Sequence, residues 1–272
     1  MTGKYDLPPD SPGFAAAQAE MAERSLPAAS LPGAAFDIDY GPHPRHRLDI
    51  ISAGADAPVL LFFRGGYWKV GNKEERRFPA LAWQPRGITW AVPNYRLAPD
   101  ATLPEIVDDA VAVFNWLTTH AGNHGINGDN IHLIDNSAGA HLCAMIAAST
   151  RSPAIKSMTL VSGLFDLEPL VNEAPNDWLQ MNQQTAQNMS PIRYPPPQSI
   201  PVTVCCGDAE TPAFRAQSRN YFDRLREQGC NAEFFESPGK NHMEIILECG
   251  MPDTPVFDAL NKHLRADRCL QS

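Results

Sequence analysis

The chain has 272 residues, with Lys+Arg 22 against Asp+Glu 31, a formal charge of −9. That balance opposes nucleic acid and anionic membrane as partners, because both need a basic surface. Hydrophobic residues make up 43% and charged residues 19%, which argues for a folded core and against disorder. No apolar run reaches the ~20 residues of a membrane-spanning helix. The segment Met1 to Phe14 has no basic stretch leading into an apolar one, so no secretory signal is expected. Cys143, Cys205, Cys206, Cys230, Cys249 and Cys269 show no CxxC spacing, which predicts reduced thiols, a cytoplasmic setting and no zinc site.

In chain order, residues 1–33 form a Pro- and Ala-rich arm with an amphipathic helix expected around Gly13–Arg24. Residues 46–51 alternate polar and apolar, as an outer strand does. Pro58 to Phe63 and Ile88 to Val92 are apolar runs suited to strands buried on both faces. Leu103 to His120 carries the helical stripe Val107, Val111, Phe114, Leu117. A short strand at Ile131–Ile134, a small-residue helix at Ala138–Thr150 and a strand at Met158–Val161 follow. Residues 164–200 are irregular, polar and rich in proline, a candidate lid, because long irregular segments in compact domains are usually functional. A strand (Val202–Cys206), helix (Ala213–Gln228), strand (Ala232–Glu236) and final helix (Thr254–Arg268) complete the pattern. Alternating strands and helices predict a mostly parallel sheet, covered on both faces, in one domain over residues 34–272.

The most informative residues are Asp135-Asn136-Ser137-Ala138-Gly139, where a buried strand passes straight into a helix. A serine there sits on a tight turn with its hydroxyl clear of the backbone. The Ala138 N–H opens the helix and can donate to an oxyanion. An N-cap serine is the plain alternative. The usual pattern of such a turn is G-x-S-x-G, and Asp135 stands at its first glycine. A second block, Phe62-Phe63-Arg64-Gly65-Gly66-Tyr67-Trp68, runs an apolar strand into two glycines, which let backbone N–H groups converge. A third is Asn94-Tyr95-Arg96-Leu97-Ala98-Pro99-Asp100.

Together and in this order, RGGYW, YRLAP and DNSAGAHL resemble the α/β-hydrolase fold, which implies a mostly parallel sheet of about eight strands. More narrowly they are similar to the hormone-sensitive-lipase-like esterases and the kynurenine formamidase (arylformamidase) group, with Gly-Gly-Tyr-Trp closer to the latter. The resemblance implies a Ser-acid-His triad with Ser137 as nucleophile. It places the base at His242, in Gly239-Lys240-Asn241-His242-Met243. The frame Gly207, Thr211, Pro212, Phe214, Gln217, Ser218 puts the acid at Glu210, with Asp208 as the alternative. The N–H groups of Gly66, Tyr67 and Ala138 would form the oxyanion hole in a loop shaped by Gly65. Tyr67, Trp68 and Met243 would line a substrate pocket.

Arg64 stands where the resembled sequences carry histidine. Two roles are open to it: pairing with a buried carboxylate, for which Asp135 is the candidate, or entering the pocket to bind an acidic substrate. His263 reads as a surface residue, His141 as packed on its helix, and His120 and His124 as unable to share a metal across Gly122 and Asn123. The implied reaction is hydrolysis of a small amide, such as an aryl formamide of the N-formylkynurenine kind, with no cofactor or metal. Short-chain carboxylester hydrolysis uses the same machinery, and a non-catalytic ligand-binding homologue is the third reading. The expected partners are a small-molecule amide or ester substrate and a second copy of the chain in a homodimer.

Overall fold

The computed structural model describes residues 4, 5, 7 and 13–271, with side chains to residue 266. The rest of the expected N-terminal arm and the side chain of Cys269 lie outside the described residues. Eight strands form one sheet: β1 (Ala34–Asp39), β2 (Arg47–Ile51), β3 (Val59–Leu61), β4 (Thr89–Pro93), β5 (Ile131–Asn136), β6 (Ile155–Val161), β7 (Val202–Gly207) and β8 (Ala232–Ser237). Their spatial order is β1-β2-β4-β3-β5-β6-β7-β8. The pairs β1–β2 and β2–β4 are antiparallel, and all others are parallel. Strands β3 to β7 are buried on both faces or nearly so, which is why their sequences read as continuous apolar runs.

The helices are α1 (Phe14–Ala28), α2 (Ala80–Trp83), α3 (Leu103–His120), α4 (Ala138–Thr150), α5 (Asn176–Leu179), α6 (Gln183–Asn188), α7 (Pro212–Glu227) and α8 (Pro255–Gln271). Buried side chains of α3, α4 and α7 join one apolar cluster with Leu61 and Phe63. Those of α1, α2 and α8 join a second with Leu60 and Phe62. Adjacent strand residues thus feed opposite faces of the sheet. Helix α3 starts where its sequence dictates: the Thr102 N–H donates to Glu105 Oε2 at 2.8 Å in a capping box.

The structure departs from the sequence reading in three places. Strand β1 was not expected as an element; only alternate residues of it are half-buried. The lid-like segment is ordered by α5, α6 and short 3-10 turns, with Asn182 Oδ1 accepting the Thr185 N–H at 2.8 Å to cap α6. Helix α1 is longer than expected, and it packs toward the turn Lys73–Arg76 beside the site rather than standing off as an arm.

Candidate active site

Ser137 sits between β5 and α4 with φ 55° and ψ −126°, a backbone few side chains adopt. Its N–H donates to Val161 O at 2.9 Å, fixing the turn to β6. The carboxyl of Asp135 occupies the space that any side chain at position 139 would fill, so Gly139 is the close-packing residue here. Asp135 accepts backbone N–H groups from Arg64 at 2.5 Å, from Asn136 at 2.6 Å and from Phe63. It therefore ties the turn to the glycine loop. Complete burial pushes its pKa up to about 8, against the pull of those three donors.

Asp135 and Arg64 are thus coupled, but not as the sequence suggested. The contact runs through the Arg64 backbone, whereas its buried guanidinium donates to Val70 O at 2.6 Å and lies 4.4 Å from the Tyr95 ring centroid. Tyr95 in turn donates from its hydroxyl to Arg64 O at 3.1 Å, so the Tyr-Arg-Leu-Ala-Pro block braces the loop. Arg96 of that block makes a bidentate pair with Asp109, at 2.7 Å through Nη2.

The loop holds Gly66 at φ 113°, Tyr67 at φ 50° and Trp68 at φ 55°. A Cβ on Gly66 would fall on the Val70 carbonyl. Gly65 lies against Asn136 and Ser137; a Cβ there would stand 3.1 Å from Ser137 Cβ. Gly66 O accepts from Lys69 N and Val70 N, at 3.0 and 3.1 Å, which closes the turn. The Gly66 N–H has no acceptor among the described residues, and the Ala138 N–H opens α4, where the helix supplies none.

His242 and Glu210 meet across two loops. The His242 Nδ1–H donates to Glu210 Oε2 at 2.7 Å, and both residues are buried. Glu210 Oε1 accepts from Gly207 N at 2.7 Å and from the Ser162 hydroxyl. Burial opposes its charge, but His242 and these donors hold its carboxyl below the usual range. Phe214 covers the imidazole, 4.1 Å between ring centroids. Asp208 is elsewhere: it accepts the Gly239 N–H at 2.7 Å on the surface. His242 Nε2 is buried without a hydrogen-bond partner, and no Ser137–His242 bond is formed. Both residues line one cavity of about 200 Å³.

Tyr67 and Met243 line that cavity as expected. Trp68 does not: it is fully buried, edge-on to His141 at 5.0 Å. Nor does Arg64, which lies behind Gly71. His263 is also corrected, because its Nε2 meets Thr203 Oγ1 at 2.9 Å and burial lowers its pKa to about 4. The sequence reading missed Ser162, which carried a signal in its place directly after β6. It also missed Phe14, Met21 and Trp178, whose approach to the cavity depends on contacts across the chain. Trp178 donates from Nε1 to Tyr67 O at 3.1 Å, joining the irregular segment to the glycine loop. Among the described residues, no group of three His, Cys, Asp or Glu could hold a metal, and no helix is long and apolar enough to cross a membrane.

A strained serine at a strand-to-helix turn, facing a cavity shared with a carboxylate-bound histidine, defines the class: a hydrolase of the serine type. The chain belongs to the alpha/beta hydrolase fold family, whose model matches residues 60–246. It is 29% identical over 228 residues to a kynurenine formamidase of Danio rerio, covering 78% of this chain and 75% of that one. An esterase of Mycobacterium tuberculosis is 29% identical over 236 residues, covering 76% and 56%. A solved Silicibacter structure superposes with a TM-score of 0.81 at 25% identity, over 94% and 96% of the two chains.

Proposed function

We propose that the protein hydrolyses small aryl amides, an arylformamidase-like activity, with Ser137 as nucleophile, His242 as base and Glu210 as the acid that orients it. The observation that carries this reading is the Glu210–His242 pair, whose free imidazole nitrogen borders the same small cavity as Ser137. Ser137 Oγ attacks the carbonyl carbon while His242 Nε2 takes its proton. The N–H groups of Gly66, Tyr67 and Ala138 hold the oxyanion. His242 then protonates the leaving amine, and a water deprotonated by the same nitrogen releases the acid. The cavity of about 200 Å³ is below the ~300–1,000 Å³ usual for larger ligands, which supports a small substrate. The likeness to kynurenine formamidases over 78% of the chain supports the amide.

A second reading, short-chain carboxylester hydrolysis, is favoured by the esterase relative. The five described cysteines are buried free thiols, which supports a reducing, cytoplasmic setting. The test is fluorophosphonate labelling followed by intact-mass analysis, with Ser137→Ala as control. One adduct that the substitution abolishes is expected, followed by faster turnover of formanilide than of phenyl acetate. The reverse preference selects the esterase. No adduct on folded protein overturns both and leaves a binding protein.

A further inference from the structure

The chain has more acids than bases, 31 to 22, yet no Asp or Glu is among the described residues lining the cavity. Its charged lining residues are Lys69 and Arg76. Lys69 is exposed at the mouth, its ammonium 4.0 Å from the Trp178 ring centroid. Arg76 is 7% exposed, set beside the cavity by the turn Lys73–Arg76. Its Nη1 donates to Glu75 O at 3.1 Å, and the Glu75 carboxylate stands 3.6 Å away, too far for a hydrogen bond. Glu75 Oε2 is itself buried without a hydrogen-bond partner, and its contact with Arg76 is that ion pair alone among the described residues. The Nε and Nη2 groups of Arg76 make no hydrogen bond among the described residues, and its side chain is 8% exposed, whereas Arg64 is fully buried.

A buried guanidinium with open donors is costly unless an anion completes it. Asp135, a second carboxyl that acts on Arg76 electrostatically, spends its oxygens on three backbone N–H groups. We propose that Arg76 binds a carboxylate of the substrate, so that the enzyme acts on small aryl acids that carry no compensating ammonium group. Among the described residues no carboxylate lines the cavity, so a substrate ammonium would face Lys69 and Arg76. The inference rests on the hydrolase reading above and names its substrate class.

Three matched esters separate the contributions: 4-ethylphenyl acetate (neutral), 3-(4-acetoxyphenyl)propionate (anionic) and O-acetyltyrosine (zwitterionic). A charge-assisted pair predicts kcat/KM at least about tenfold higher for the anion than for the neutral ester, with the zwitterion below the anion. Arg76→Gln should bring the anion-to-neutral ratio to about one, and Arg76→Lys should keep part of it. The ratio is independent of the fraction of folded variant. A wild-type ratio near one, or a ratio unchanged in Arg76→Gln, overturns the proposal. Monophenyl succinate against phenyl butyrate repeats the comparison with the carboxylate on the acyl side and shows which half of the substrate Arg76 meets. If no ester turns over and no fluorophosphonate adduct forms, the hydrolase reading has failed. Calorimetry with 3-phenylpropionate then still decides the anion site, because binding that weakens in Arg76→Gln supports it and no binding overturns it.

Discussion

Glu210 and Asp208 leave the same strand two residues apart, and either could have been the acid on sequence grounds. The geometry separates them, since Glu210 meets His242 Nδ1 at 2.7 Å while Asp208 meets a backbone N–H on the surface. Glu210→Gln should lower kcat by about 10³–10⁴-fold, as losing the carboxylate that fixes the imidazole tautomer does elsewhere. Asp208→Asn should leave kcat within about threefold, because surface changes away from the chemistry are small. Steady-state rates on one substrate check both, and similar losses in the two variants would sink the assignment. Asp135 poses a different question at the same scale. Restoring the usual glycine, Asp135→Gly, removes the acceptor of three buried N–H groups and should cost about 3 kcal/mol or more of unfolding free energy. A denaturant titration measures this, and a neutral result would mean the carboxyl is not what joins loop to turn.

The Tyr67 loop is held in its positive-φ path from two sides. Tyr95 and Asp135 grip it at Arg64, and Trp178 reaches Tyr67 O from the irregular segment. Trp178→Ala should therefore lower kcat/KM about tenfold, since one lost hydrogen bond lets an oxyanion donor drift. Thermal stability should change little, because Trp178 is only half-buried. Rates and melting temperature measured together separate this from general unfolding. The elements themselves were legible where local chemistry decides. Helix α3 carried its own capping box and apolar stripe, and α4 its run of small residues. Strand β1 was not, because a half-buried edge strand has a weak pattern. The candidate site was legible in the placement of Ser137, His242 and Glu210, which sit in motif blocks. It was not legible in Met21, Trp178 or Arg76, whose positions are set by how distant elements pack. Trp68 and Arg64 misled because a motif shows where the chain turns and not which way a side chain points.

Across the whole molecule, the turn that carries Arg76 is anchored by a buried ion cluster. Lys73 is fully buried, with Nζ 2.8 Å from carboxylate oxygens of Asp37, Asp49 and Glu74, and Arg77 pairs with Asp49 from the other side. Burial works against the charge, but these three partners hold the Lys73 pKa above its ordinary value. Lys73→Met should cost about 3 kcal/mol, because it strands the buried Asp49 charge. Urea unfolding checks this, and a loss below about 1 kcal/mol would show that Arg77 alone suffices.

Two groups of carboxyls then set opposite pH slopes. Glu210 is buried, yet His242 and its other donors depress its pKa, and Asp109 is likewise buried but depressed by Arg96. Each contributes stability that is present above the unfolded carboxylate range, at about pH 4, and is lost as pH falls through the depressed folded value. Asp135 has the reverse sign. Its folded pKa of about 8 exceeds its unfolded value of about 4, so the folded chain keeps a proton that the unfolded chain releases. Its contribution is fully present below about pH 4 and is lost as pH rises through about 8. The melting temperature should therefore be highest in mildly acidic solution and fall on both sides. Asp135→Asn should flatten the alkaline limb without moving the acid one, since Asn keeps a neutral side chain at every pH while Glu210 and Asp109 are untouched. A melting-temperature profile of both proteins tests this directly. An alkaline limb unchanged in Asp135→Asn would mean that another group titrates there and that Asp135 is ionised under its three N–H donors.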